Sequence, residues 1–283
     1  MKKIKITDLK GIHLELSSYC NLKCPFCARQ DRPDPLRMNK NLSKKAIDNL
    51  FIDELVVNLE DLTMCGSFGE PTLNPNLPYI LGKMNRLNPD CHIFISTNGS
   101  THTNEWWYHF GKCIKKLNLD MCFCLDGFTK ETNKYRDSDV EKVLIHIENY
   151  LRGTGGKNAE LKTILFEHNQ HEIEKFQEYT DKRNMKYTVK HSWDYDNEYR
   201  KATIDIDAEE IYNPTCSFIN KGYFYVSAIG EVLPCCYYVE DFYKYPQLLL
   251  EDYTIKEIVE SASFNVLLLH INKSIECRKH CGI

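Results

Sequence analysis

The chain reads as an α/β fold on a parallel sheet, followed by a small region of a different kind. Three observations predict this. Strand-like runs alternate with longer helix-periodic segments through roughly two thirds of the sequence, the pattern of βα units. Several runs stop at turn dipeptides, Asn98-Gly99 and Asp126-Gly127 among them. Beyond about residue 213 the alternation gives way to two short strands close together, a hairpin pattern.

Taken in order, Gly11 to Leu16 is the first strand. Ser43 is a capping residue for a helix from Lys44 to about Leu59. Leu62 to Cys65 is the second strand, and a helix follows from about Asn76 to Leu87. The third strand, Cys91 to Thr97, leads to a helix over Asn104 to Leu117, and the fourth covers Leu119 to Leu125. Ser138 caps the next helix, which reaches Tyr150. Gly153 to Gly156 reads as a loop, without the flanks of a phosphate-binding turn. Glu160 to Phe166, a helix from Gln170 to Arg183, and Lys186 to His191 complete six units. Asp194 to Tyr212 is polar and acid-rich. Gly222 to Ser227 and Gly230 to Leu233 form the hairpin, and a helix spans about Thr254 to Ile271. The expected organisation is 1–193, a connector at 194–212, and a C-terminal domain at 213–283.

The 283 residues suffice to bury a sizeable core, and 42% hydrophobic with 27% charged residues is a globular balance. No apolar run reaches the length of a membrane span, and the lysine-rich start lacks the apolar stretch of a secretion signal. A net charge of −4 argues against broad nucleic-acid or membrane binding. Thirteen cysteines, an odd number, fit a reducing cytoplasmic setting in which thiols serve metals better than a disulfide scaffold.

The first strand runs into Cys20-Asn-Leu-Lys-Cys24-Pro-Phe-Cys27, three cysteines in C-x3-C-x2-C spacing. Three thiolates hold three irons of a 4Fe–4S cluster and leave the fourth open to a ligand. Taken alone, the cysteines also suit a zinc site or buried structural thiols. The spacing, with Phe26 before the last cysteine, resembles the signature of the radical SAM enzymes. That resemblance implies an open, partial (β/α)6 TIM-like barrel with its chemistry at the C-terminal strand ends, where this loop falls. It also implies S-adenosylmethionine on the open iron, cleaved reductively to a 5′-deoxyadenosyl radical that abstracts hydrogen from a substrate.

Further strand ends carry the same likeness. Gly69-Glu70-Pro71 resembles the motif that receives the cofactor's ammonium group, where a carboxylate offsets the charge. Thr97, Asn98 and Asp126 are similar to positions that touch its methionine and ribose parts. Arg136 is similar to an arginine that holds the cofactor carboxylate, a task suited to a forked guanidinium. Cys124 stands where relatives often carry serine. As plain sequence, the dipeptides are also good turns and Arg136 a plausible surface residue. Cys122 and Cys124 share the strand face of Asp126. Cys124, His168 and His191 are the residues placed to act on a substrate, and equally placed to be core or surface groups.

Near the C-terminus, Cys216, Gly230 and Cys235 form a C-x13-G-x4-C arrangement, with Cys277 and Cys281 beyond it. This resembles the SPASM/twitch auxiliary domain attached to many radical SAM enzymes. It implies a small hairpin-plus-helix domain and a second 4Fe–4S cluster on Cys216, Cys235, Cys277 and Cys281, with Cys236 as an alternative to Cys235. Structural zinc on four thiolates is the competing reading. The expected function is radical chemistry on an unknown substrate, first a two-electron oxidation of a small molecule, next the modification of a peptide or protein. The partners are that substrate and an external reductant such as a flavodoxin or ferredoxin. A non-catalytic zinc or electron-transfer protein is the alternative from another class.

Overall fold

A computed structural model describes residues 4–31, 39–66, 68–192, 196, 198–204, 218, 221–236 and 248–269. The chain forms two compact bodies: residues 1–19, 35–93 and 211–283, and residues 20–34 with 94–210.

In the first body, β1 (Gly11–Leu14) lies between β2 (Asp61–Met64) and β7 (Tyr223–Val226), parallel to both. The short β8 (Val232–Leu233) runs antiparallel to β7 and completes the expected hairpin. Ile12 and Leu14 on one face of β1 are buried. The alternate residues Gly11, His13 and Glu15 occupy the other face. Gly11 is required there, because a Cβ would sit 2.6 Å from the Tyr223 ring.

The helices depart from expectation in instructive ways. The segment expected as one helix from Lys44 is two, α2 (Lys44–Leu50) and α3 (Asp53–Val56), with Ser43 capping the first as predicted. Phe51 leaves helical geometry (ψ 51°) and buries its ring, which turns the chain. α4 (Leu77–Leu87) matches its expected span. The C-terminal helix is also divided, into α8 (Ile255–Val259) and α9 (Ala262–Leu269). Ser261 causes the break: its hydroxyl donates to the Ile258 carbonyl and accepts from the Phe264 amide, starting a new helix.

The second body carries β4 (Leu119–Cys124), β5 (Ala159–Leu165) and β6 (Lys186–His191), paired parallel in that order. β3 (His92–Thr97) borders β4. α1 (Ala28–Asp31), α5 (Asn104–Ile114), α6 (Val140–Thr154) and α7 (Ile173–Asp181) belong to this body. Asp139, not Ser138, caps α6, accepting from the Lys142 amide; Ser138 instead accepts from the Asn133 side chain. The helix also runs through Gly153, expected to lie in a loop, and stops at Gly155 with φ +78°. Close packing on α5 explains this, because a Cβ on Gly153 would lie 2.2 Å from the Tyr108 carbonyl oxygen. Among the described residues no helix is long and apolar enough to cross a membrane.

Candidate active site and its cofactor loops

The three cysteines of the first loop are half-buried. Local contacts shape the loop. Cys27 N–H donates to the Cys24 carbonyl, and Phe26 sits at φ 55°, a left-handed conformation uncommon for an aromatic residue. The Phe26 ring meets Tyr199 edge-on at 5.7 Å.

Two strand ends reach this loop. From the end of β3, the Asn98 amide donates to Cys20 Sγ at 3.8 Å and to Asn21 Oδ1 at 3.1 Å. Asn21 in turn donates to Ser100 Oγ, which donates back to Asn98 Oδ1. Thr97 accepts from the Gly99 amide, so it shapes the turn. After β4, the Arg136 carbonyl accepts the Cys24 thiol at 3.1 Å. The Arg136 guanidinium meets Asp126 with Nε 2.9 Å from Oδ2, an ion pair whose N–H is not aligned on that oxygen.

Asp126 is fully enclosed and held from several sides. Its backbone N–H donates to Asn133 Oδ1 at 2.9 Å, and its Oδ1 accepts from Ile164 N–H at 2.8 Å. Its carbonyl accepts from the Asn169 amide at 2.6 Å. Burial raises the Asp126 carboxyl, while Arg136 and the Ile164 amide pull it back. Burial also pushes the Cys24 thiol up to about 12, opposed by the Arg136 cation and aided by neighbouring Cys27 and Cys20. Sequence reasoning gave no sign that Asn133 and Asn169 fix Asp126, since an asparagine in a loop carries no signal of such a role.

Cys122 and Cys124 are both buried on β4. Cys122 lies 3.7 Å from Glu160 Oε1, and Cys124 is 3.3 Å from Ser96 Oγ. In the register, Cys122 faces Glu160 and Cys124 faces Lys162. Of the two thiols Cys124 is the one pulled down, first by the neighbouring Cys122 thiol, then by the Arg136 and Lys162 cations against burial. His168 stacks on Phe166 at 5.1 Å and meets Tyr199 edge-on at 6.0 Å. Both its ring nitrogens are buried without a hydrogen-bond partner among the described residues. Burial, then Lys134, lowers its pKa to about 4, and the weak pull of the Thr132 backbone falls short of hydrogen-bond geometry. His191 Nδ1 and Ser192 Oγ at the end of β6 are likewise buried without such a partner.

In the first body, Gly69-Glu70-Pro71 follows β2. Glu70 is 2% exposed; its Oε1 accepts from Thr72 N–H and Oγ1 and caps the short 3-10 turn Pro71–Leu73. Its backbone N–H donates to the Tyr19 carbonyl at 2.7 Å. Only glycine fits at 69, because a Cβ would stand 2.2 Å from the Ser17 carbonyl oxygen. Glu15, at the end of the apolar first strand, is 1% exposed and was missed by sequence reasoning.

Cys235 and Cys236 follow β8 and are half-buried. Cys216, Cys277 and Cys281 lie outside the described residues. Among the described residues no group of three or more His, Cys, Asp or Glu converges on a single ion position. The first loop instead offers three thiols on one short segment beside an amide donor and a cation. That donor set fits a multi-iron cluster with one open iron better than a four-coordinate ion.

The profile of the radical SAM superfamily matches residues 14–180, and the SPASM profile, an iron–sulfur cluster-binding domain, matches residues 216–282. The chain belongs to the radical SAM superfamily, in the class that carries a C-terminal SPASM region. A 4Fe–4S cluster and S-adenosylmethionine come with the first match, and auxiliary iron–sulfur binding with the second. The GTP 3′,8-cyclase of Clostridium perfringens is 20% identical over 160 residues, 56% of this chain and 48% of the relative. The chain thus spans about half the length of that curated relative. Its fold is similar to Streptococcus suis SuiB solved with S-adenosylmethionine, at 12% identity and TM-score 0.64, covering 91% of this chain and 67% of that one. It is also similar to anSMEcpe with bound AdoMet, at 16% identity and TM-score 0.60, covering 96% and 84%. These likenesses establish the partial α/β barrel as the fold.

Proposed function

We propose that this protein cleaves S-adenosylmethionine reductively and abstracts hydrogen from a polar small molecule, oxidising it by two electrons. The observation that carries the reading is the convergence on one cysteine loop of Asn98, at Cys20, and Arg136, at Cys24. When bound, the cofactors supply the reductive cleavage, the abstracting radical and an acceptor for the second electron.

The chain's own residues supply placement. Cys20, Cys24 and Cys27 hold the first cluster, and the Asn98 amide supports Cys20. Gly69, Glu70 and Pro71 receive the ammonium group of S-adenosylmethionine, with the Glu70 carboxylate already fixed by Thr72. Arg136 holds the cofactor carboxylate, and Asp126 orients the guanidinium that does so. Thr97, Asn98 and Cys124 line the strand ends beside it, and Phe26 fixes the loop's aromatic side. Cys216, Cys235 or Cys236, Cys277 and Cys281 hold one auxiliary cluster. Glu160 and Lys162, facing Cys122 and Cys124, give the strand face a charged lining that suits a polar substrate. His168 and His191 border that space as proton-handling groups.

The test is iron, acid-labile sulfide and zinc per chain after anaerobic reconstitution, followed by 5′-deoxyadenosine formation under a low-potential reductant. About eight irons, no zinc, and nucleoside formation abolished by Cys24→Ala are the expected results. About four irons with retained zinc would make the C-terminal site a structural staple. Zinc alone, with no cluster at the first loop, would overturn the enzyme reading. A peptide product instead of an oxidised small molecule would replace the substrate class and leave the rest standing.

A further inference from the structure

The inner face of β1 carries two polar side chains that both reach the segment after β2. His13 Nε2 lies 2.7 Å from the Cys65 carbonyl oxygen, and Glu15 Oε1 accepts from Phe68 N–H at 2.6 Å. A third residue secures both. The Tyr225 hydroxyl, on β7, donates to Glu15 Oε2, and its ring packs edge-on against His13 at 5.2 Å. Tyr225 is fully buried, and burial, with the Glu15 carboxylate beside it, keeps the phenol protonated and therefore a donor. β7 falls within the SPASM match, and Cys236 lies near enough to Tyr225 to affect its ionisation.

We infer that Tyr225 and Glu15 are a positioning pair for the ammonium site of S-adenosylmethionine. The hydroxyl fixes the carboxylate, the carboxylate fixes the Phe68 amide, and that amide precedes Gly69-Glu70-Pro71 by one residue. The inference rests on the proposed ammonium role of that tripeptide. Its physical basis is that the loop has little slack. Gly66 and Gly69 both sit where a Cβ would meet backbone within 2.3 Å, so a shift at Phe68 passes to Glu70. A buried carboxylate that lost the tyrosine would seek another donor and turn away from the amide. A strand of the C-terminal region thus supports the ammonium-binding segment that follows the second strand.

The test uses full-length reconstituted protein and two probes, S-adenosylmethionine and 5′-methylthioadenosine, which lacks the ammonium and carboxylate. Tyr225→Phe and Glu15→Ala are expected to weaken S-adenosylmethionine binding about tenfold and to leave methylthioadenosine binding unchanged. Glu15→Gln keeps an acceptor for Phe68 and is expected to bind like the wild type. Amide exchange over residues 65–70, read without any cofactor, is expected to quicken in the first two variants alone. Equal weakening for both probes would reduce the pair to core packing and overturn the inference. So would a wild-type affinity in all three variants. A wild type that binds neither probe would overturn the ammonium site itself, and the exchange measurement would still report whether the pair holds the loop.

Discussion

Asp126 meets Arg136 at 2.9 Å with its own side chain wholly enclosed, and the carbonyl of the same arginine accepts the Cys24 thiol. One residue therefore joins a buried carboxylate to the cysteine loop. Asp126→Ala is expected to cost about 3–5 kcal/mol, because it strands a buried guanidinium and leaves the Ile164 amide without its acceptor. Adding Arg136→Met to it is expected to cost less than the two single changes together. A double-mutant cycle by urea unfolding measures both.

The Asn98 amide touches Cys20 Sγ, and hydrogen bonds to cluster sulfurs raise the reduction potential. Asn98→Ala is therefore expected to move the midpoint of the first cluster to more negative values, by roughly tens of millivolts. Potentiometric titration followed by electron paramagnetic resonance reads the shift. An unchanged midpoint would mean that the amide serves Asn21 alone.

Glycine-to-alanine changes separate helix propensity from packing. Gly82 is an exposed mid-helix residue of α4, and an added methyl there would have nothing within 4 Å, so Gly82→Ala is expected to stabilise by about 0.5–1 kcal/mol. Gly153→Ala is expected to destabilise by about 1–3 kcal/mol despite the same gain in propensity, since its methyl meets the Tyr108 carbonyl. Thermal unfolding of the two variants is expected to move in opposite directions.

His168 titrates at about 4 in the folded protein against an ordinary value of 6.5, because burial disfavours its charged form. Its contribution to stability is full above pH 6.5 and is lost as pH falls towards 4, where the unfolded chain binds the extra proton first. His168→Gln is expected to flatten the fall of melting temperature across that window. An identical pH profile would show the ring to be open to solvent.

Much of the fold was legible because its signals are local. The turn dipeptide Asn98-Gly99 follows directly on β3, Asp126-Gly127 comes one residue after β4, and Ser43 caps the helix assigned to it. The cysteine loop was legible through its spacing, whereas Asn98 and Arg136 were singled out only by resemblance to the family. What escaped depends on distant partners. Gly153 is helical because α5 leaves no room for a side chain, and nothing near it in sequence says so. Asn133 and Asn169 become important only when folding brings them to Asp126. Glu15 was missed, since its partner Tyr225 lies 210 residues further along the chain.

The parallel pairing of Gly11 with Tyr223 sets an order of events during synthesis. β1 leaves the ribosome long before β7, and one of its two edges stays open in the interval. Folding of the first body is thus held back until β7 has been made. A nascent chain stalled before residue 223 would carry an exposed, sticky strand beside its cysteine loop. Chaperone capture and cluster loading would then compete for the same short stretch of polypeptide.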